Sequence, residues 1–301
     1  MNSEPFIDHK SGFVAILGKP NVGKSSLVNA MLGQKIAAVT SKAQTTRRRQ
    51  LGILTGEGYQ IIFTDTPGIH HERNKLGDLM NRDARKALED ADIALLMLDA
   101  SARLTNEDRE LVQWLAEKNL SLPLWVVYNK MDEADIVGLE QTTSFVQDQL
   151  PDSVSFNLSA LTGFGVGNLK AALIEALPQS PPFYDPDQVT DLYERQIAAD
   201  LIREAALNAL RDEIPHGIAV RIDDFIERGD QGARIEATLF VERESHKGIV
   251  VGEKGSMIKE IGTAARLEIE RMSSRKVFLQ LRVKVRKNWR NDEAVLKRFG
   301  Y

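Results

Sequence analysis

The first 150 residues alternate between short apolar runs and longer segments whose apolar positions recur at helical spacing. Residues 12–17 (GFVAIL), 59–63 (YQIIF), 93–98 (IALLML) and 124–128 (LWVVY) are nearly all apolar and of strand length. Between them, residues 25–32, 76–88, 107–116 and 139–150 repeat apolar positions every three or four residues. A last segment of this kind, 169–177, stops at Pro178. Strands apolar on both faces and separated by helices predict an α/β domain whose mostly parallel sheet is covered on both sides.

The pattern changes after that proline. Residues 178–188 (PQSPPFYDPDQ) hold four of the ten prolines and read as a linker. Residues 192–210 predict a long helix. Ile218, Val220 and Ile222 then alternate as in a strand, as do Ile235, Ala237, Leu239 and Val241, with RGDQG at 228–232 as the hairpin loop. Ile258, Ile261, Ala265, Ile269 and Met272 stripe a helix, and Val277, Leu279, Leu281, Val283 and Val285 close the chain's second half as a strand. The order α-β-β-α-β describes a small α+β module. The expected organisation is a tail over 1–11, an α/β domain over 12–178, a Pro-rich linker over 179–191 and the second domain over 192–301.

Composition narrows the chemistry. The chain has 301 residues and no cysteine, which excludes disulfides, iron–sulfur clusters and thiolate zinc sites. Its five histidines are scattered. The longest apolar run, 93–98, is far short of the ~20 residues that span a bilayer, and the first residues lack a signal-peptide pattern. The expectation is a cytoplasmic chain, with peripheral membrane contact left open. A formal net charge of −4 hides a basic window. Residues 245–290 hold twelve Lys and Arg against four acids, which favours a polyanion-binding surface over a merely solvated face.

GKPNVGKS at 18–25 fits G-x-x-x-x-G-K-[ST] between a predicted strand and helix. Gly18 and Gly23 let backbone N–H groups curl around phosphate oxygens, and the helix start adds its positive dipole end. Lys24 is the candidate for neutralising the β/γ-phosphates, and the Ser25 hydroxyl for ligating Mg²⁺. Lys19, Pro20, Asn21, Val22 and Ser26 complete the candidate phosphate loop. DTPG (Asp65, Thr66, Pro67, Gly68) follows the second apolar strand. Asp65 can reach the Mg²⁺ shell through water, and the Gly68 N–H can sense a γ-phosphate.

NKMD (Asn129, Lys130, Met131, Asp132) follows the fourth strand and resembles the guanine-selecting motif of GTPases. A carboxylate at Asp132 accepts from guanine N1–H and the 2-amino group, and adenine offers neither donor there. Lys130 can lie along the base. SAL (Ser159, Ala160, Leu161) resembles the last GTPase motif, in which a backbone N–H near Ala160 meets guanine O6. Between the phosphate loop and DTPG, residues 37–50 occupy the place of a first switch segment. Thr46 is the candidate Mg²⁺ ligand there, with Thr45 the near alternative. Ile69 follows DTPG where small GTPases place a water-orienting Gln, so hydrolysis is expected to be slow or to use another group.

GEKG (Gly252, Glu253, Lys254, Gly255) enters the striped helix of the second module and resembles the G-x-x-G loop of KH domains. Lys247 and Lys259 flank it, and all six residues are candidate RNA contacts. Taken together, GKPNVGKS, QTTR, DTPG, NKMD, SAL and VVGEKGSMIKEIG resemble the Era-like family of bacterial GTPases over nearly the whole chain. That resemblance implies a P-loop GTPase domain followed by a type II KH domain. It implies GTP and GDP as ligands, Mg²⁺, and binding near the 3′ end of 16S ribosomal RNA. It further implies a role in maturation of the 30S subunit and some association with the inner membrane. DNA is not an expected partner. Asn21 is similar to the Asn that ligates potassium in K⁺-activated GTPases, although capping the loop would explain it equally well. The alternative is a GTPase whose second domain binds a protein or membrane partner instead of RNA.

Overall fold

The computed structural model describes residues 9–40, 42, 45–68, 75–118, 120–211, 214–227 and 232–301. Ile69, most of the expected tail and most of the RGDQG loop lie outside the described residues. The chain divides into two compact units. One comprises Met1–Gln34, Arg48–His71 and Met80–Asp191, and the other Lys35–Arg47, Glu72–Leu79 and Leu192–Tyr301.

The first unit is a six-stranded sheet in the order β2-β3-β1-β4-β5-β6. Its strands are β1 (Lys10–Leu17), β2 (Gln50–Gly56), β3 (Tyr59–Asp65), β4 (Ile93–Asp99), β5 (Leu124–Asn129) and β6 (Val154–Asn157). All neighbours run parallel except β2, which pairs antiparallel with β3 and adds an edge. The apolar runs of β1, β3, β4 and β5 are buried, as their composition requires. The helices of this unit include α1 (Lys24–Leu32), α3 (Asn106–Glu117), α4 (Ile136–Gln149) and α5 (Val166–Ala176), with α2 (Lys75–Glu89) following the DTPG strand. Every motif of the nucleotide site follows the C-terminal end of a strand: GKPNVGKS after β1, DTPG from the last residue of β3, NKMD from the last residue of β5. In open α/β sheets that edge is where ligands bind.

The second unit contains α6 (Glu194–Ala209), β7 (Ala219–Glu227), β8 (Ala233–Val241), α7 (Glu244–Val251), α8 (Ser256–Ser273), β9 (Val277–Val285) and α9 (Glu293–Phe299). Its sheet runs β7-β8-β9, with β7 antiparallel and β9 parallel to β8. A parallel pair needs a crossover, and α7 with α8 supplies it. Ile202, Ile235, Leu239, Ile261 and Ala265 build the core between helices and sheet. The periodicity of residues 244–251 does not announce α7, and α9 follows the last strand, so the observed order is α-β-β-α-α-β-α. Trp289 is fully buried beside Phe299, with its indole N–H donating to the Gly217 carbonyl at 3.0 Å.

Candidate functional site

The phosphate loop takes the shape its glycines permit. Gly18 has φ +150° and Gly23 φ +102°. A Cβ at Gly23 would sit 2.1 Å from the Asn129 amide nitrogen, so no other residue fits there. Lys24 begins α1 and is buried, its ammonium donating to the Gly18 and Lys19 carbonyls at 3.0 and 2.9 Å. Burial lowers its pKa to about 8, and the nearby Asp65 carboxylate recovers part of the loss. The Ser25 hydroxyl donates to Asp65 Oδ2 at 2.6 Å. A hydroxyl and a carboxylate at hydrogen-bond distance are hard oxygen donors of the kind Mg²⁺ selects. Ser26 follows them in the first turn of α1.

DTPG lies directly on this loop. A Cβ at Gly68 would meet the Pro20 nitrogen at 2.4 Å, so the glycine allows the two backbones to touch. The Thr66 hydroxyl donates to the Ile16 carbonyl at 2.7 Å and pins the segment to β1. Val22 is buried. The Lys19 side chain reaches to α3, donating to Asp108 Oδ2 at 2.6 Å and to the Thr105 hydroxyl at 3.3 Å. Asp108 also accepts from the Thr105 backbone, closing the N-terminal cap of α3. Asp108 was not a candidate in the sequence, because only the fold brings it to the phosphate loop.

Asn129 joins three motifs. Its amide donates to the Val22 carbonyl at 2.7 Å, and its Oδ1 accepts from the Ala160 N–H at 2.9 Å. The Met131 N–H donates to the Leu158 carbonyl at 3.2 Å, which sets the NKMD and SAL turns side by side. Ser159 is buried and Leu161 is exposed. The N–H expected to meet guanine O6 is thus shared with Asn129. Lys130 adopts φ +66° and its ammonium lies 2.5 Å from Asp99 Oδ2. Burial alone would raise the Asp99 pKa, but hydrogen bonds from Lys130 and Ser101 hold the carboxyl below its ordinary range. An acid ending the apolar strand at 93–99 was the available signal for this pairing. Asp132 stands exposed in the turn Met131–Glu133. Asn129→Ala should therefore weaken GDP binding by about tenfold or more. It strands a buried carbonyl and a buried N–H at ~1–3 kcal/mol each, and isothermal titration against GDP measures the loss.

Residues 35–47 group with the second unit. Thr45 accepts from the Arg203 guanidinium through its carbonyl, and its hydroxyl lies 2.7 Å from that of Thr40. Arg47 is buried. It donates to the Ile218 carbonyl at 2.6 Å and lies 5.4 Å from the Trp289 ring centre and 5.9 Å from that of Tyr301. Thr46 is held between these two anchored neighbours.

In the second unit, GEKG connects α7 to α8. Gly252 has φ +73°, and a Cβ there would lie 2.7 Å from the Met257 nitrogen. Lys254 has φ +50°, and Gly255, at φ +82°, caps α8. Glu253, Lys254 and Lys259 are exposed, Lys247 is half-buried, and Val250 is in the core while Ile249 is exposed. The six arginines of the basic window each pair with a carboxylate. Among the described residues, none of the window's six lysines has such a partner, and Lys247, Lys254 and Lys259 are the three in or near GEKG.

Residues 13–130 match the family described as 50S ribosome-binding GTPase, and residues 213–290 match the KH domain family. GTPase Era of Geobacter metallireducens is 43% identical over the full length of both chains. GTPase Era of Carboxydothermus hydrogenoformans is 41% identical over 98% of this chain and 99% of its own. An Era variant from Aquifex aeolicus, solved with GDP·AlF4⁻, superposes with a TM-score of 0.90 at 38% identity, covering 97% of this chain and 99% of that one. A structure of Era with MgGDPNP and nucleotides 1506–1542 of 16S ribosomal RNA gives the same TM-score, identity and coverage.

Proposed function

Because the chain belongs to the Era family of GTPases, we propose that it couples GTP binding and hydrolysis to recognition of small-subunit ribosomal RNA near its 3′ end and so assists 30S maturation. GTP hydrolysis is the activity of its first unit, and Mg²⁺ is the metal of that reaction. The candidate holders are Ser25, Asp65 through water, and Thr46, which supply hydroxyl and carboxylate oxygens. Bound Mg²⁺ neutralises charge on the β- and γ-phosphates. Lys24 binds the same phosphates, the Gly68 N–H reads the γ-phosphate, and Asp132 selects guanine.

The observation that carries the RNA reading is the GEKG loop. It combines two glycines at positive φ, an exposed Lys254 and the start of an 18-residue helix. Such a loop lets a nucleic-acid backbone approach closely. The test is a filter-binding titration of short single-stranded RNA with and without a GTP analogue. Wild type should bind RNA with strong salt dependence. Glu253→Asp combined with Lys254→Asp should weaken that binding about tenfold or more by facing two acids to phosphate, leaving GTP affinity unchanged. Unchanged RNA affinity in low salt would move the surface elsewhere, and absence of RNA binding by wild type would favour a protein or membrane partner.

Two finer readings belong here. Asn21, at φ +67° in the phosphate loop, is a candidate ligand for a potassium ion beside the phosphates. Its amide oxygen is a hard donor, although an Asn also tolerates this backbone conformation for the sake of the turn alone. The protein is read as cytoplasmic, with peripheral contact to the cytoplasmic face of the inner membrane. No helix among the described residues is long and apolar enough to cross a membrane.

A further inference from the structure

At the far end of α8 from GEKG lies a cleft of about 520 Å³ lined by Ala233, Arg234, Arg266, Lys276, Val277 and Phe278. Phe278 is 63% exposed. It pairs in register with Arg234 across the parallel β8–β9 ladder, so the two side chains rise from the same face of the sheet. An aromatic ring left in water and bordered by cations is the usual platform for a stacked base with its phosphate beside it.

The rim is built from close backbone contacts. Gly232 has φ +92°, and a Cβ there would lie 2.0 Å from the Lys276 carbonyl, which also accepts from the Ala233 N–H at 2.9 Å. Glu270, the one acid lining the cleft, is already spent. Its Oε1 accepts from the Val277 N–H at 2.9 Å and from Arg266 at 3.1 Å. Arg234 is paired with Glu236 at 2.6 Å. Lys276 has no ion pair among the described residues, so its charge is available to a ligand.

Arg266 and Glu270, one turn apart on α8, bring that helix to the cleft. From Gly255 to Arg266 the helix rises roughly 16 Å. A G-x-x-G loop clamps about four nucleotides, so only a longer strand spans both the loop and the cleft.

We propose that this cleft is a second nucleotide-binding site for the same single-stranded RNA, in which Phe278 stacks a base and Lys276 takes the adjoining phosphate. The proposal rests on the RNA-binding reading of the GEKG loop and extends it beyond the four-nucleotide clamp. Lys276, without an ion pair among the described residues and beside the ring, favours a polyanion over an apolar protein partner.

The test is fluorescence anisotropy with labelled single-stranded RNAs of about four and about ten nucleotides, for the full chain. Wild type should bind the longer RNA at least about tenfold more tightly. Phe278→Ala and Lys276→Glu should each bind the short RNA as wild type does and lose most of that gain, while Phe278→Trp keeps it. Phe278 is exposed, so an unchanged melting temperature and unchanged GTP hydrolysis are expected for these variants. A full length gain in both Phe278→Ala and Lys276→Glu overturns the second site. If both RNAs bind in a manner that depends on Lys254 alone, the GEKG reading survives without this cleft. If wild type binds neither RNA, both readings fall.

Discussion

Asp132→Asn is expected to convert a protein that prefers GTP into one that prefers XTP. The Asp132 carboxylate only accepts hydrogen bonds, and guanine presents two donors to it, N1–H and the 2-amino group. Xanthine replaces the amino group with a carbonyl, which a carboxylate repels and an Asn amide can donate to. Two hydrogen bonds to a charged group at ~1.5–3 kcal/mol each predict a change in the GTP-to-XTP affinity ratio of about 10³-fold or more. The substitution should leave the turn intact. Its shape is held by the Met131 N–H on the Leu158 carbonyl, by Asn129 and by the Lys130–Asp99 pair, none of which uses the Asp132 side chain. Competition of both nucleotides against a fluorescent GDP derivative measures the ratio. A variant that still prefers GTP would show that NKMD does not read the base.

Replacing potassium with sodium at equal ionic strength should slow single-turnover GTP hydrolysis about tenfold or more. Phosphoryl transfer concentrates negative charge on the leaving and equatorial oxygens, and a fixed positive group beside the phosphates stabilises it. Arg47 is a positive side chain of the segment between the phosphate loop and DTPG. Its guanidinium is buried, bonded to the Ile218 carbonyl and lying against the Trp289 and Tyr301 rings, so it is committed to packing in the second unit. Asn21 in the phosphate loop, at φ +67°, is the candidate for holding a cation there. Sodium is smaller and should fit the same donors poorly. Asn21→Ala should be slow in both salts and lose the difference between them. Equal wild-type rates in potassium and sodium would sink the cation reading and point to a positive group brought by a partner.

The motifs were legible because each is a short local signal next to a strong apolar strand. GKPNVGKS, DTPG and NKMD announce loops at strand ends, and the sheet places them on one edge. The strands β2 and β6 were not legible. β2 begins at Gln50, where a polar stretch ends, and its QLGILTG carries two glycines. β6 is only four residues long and mostly exposed. Helix α7 (ESHKGIVV) interrupts its own pattern with Gly248.

The missed site contacts share a different cause. Lys19 with Asp108, Lys130 with Asp99 and Arg203 with the Thr45 carbonyl join residues from 31 to 158 positions apart. No periodicity encodes such a pair. A buried arginine in particular looks like a surface residue until its acceptor is known. Within residues 37–50 nothing local announces that Arg47 lies against the Ile218 carbonyl and two aromatic rings.

The pairing of every arginine in the basic window with a carboxylate has a consequence for how this chain would meet the many polyanions of a cell. A cation already matched to an acid releases few counterions when nucleic acid arrives, so the effective count is set by the lysines without an ion pair among the described residues, Lys247, Lys254, Lys259, Lys276, Lys284 and Lys287. At roughly 0.7 of a counterion for each single-strand phosphate neutralised, six lysines give a slope of about four in log affinity against log salt. Twelve basic residues acting together would give about twice that. The protein would therefore hold only weakly to arbitrary RNA at physiological salt, and what distinguishes its target would come from base contacts and stacking.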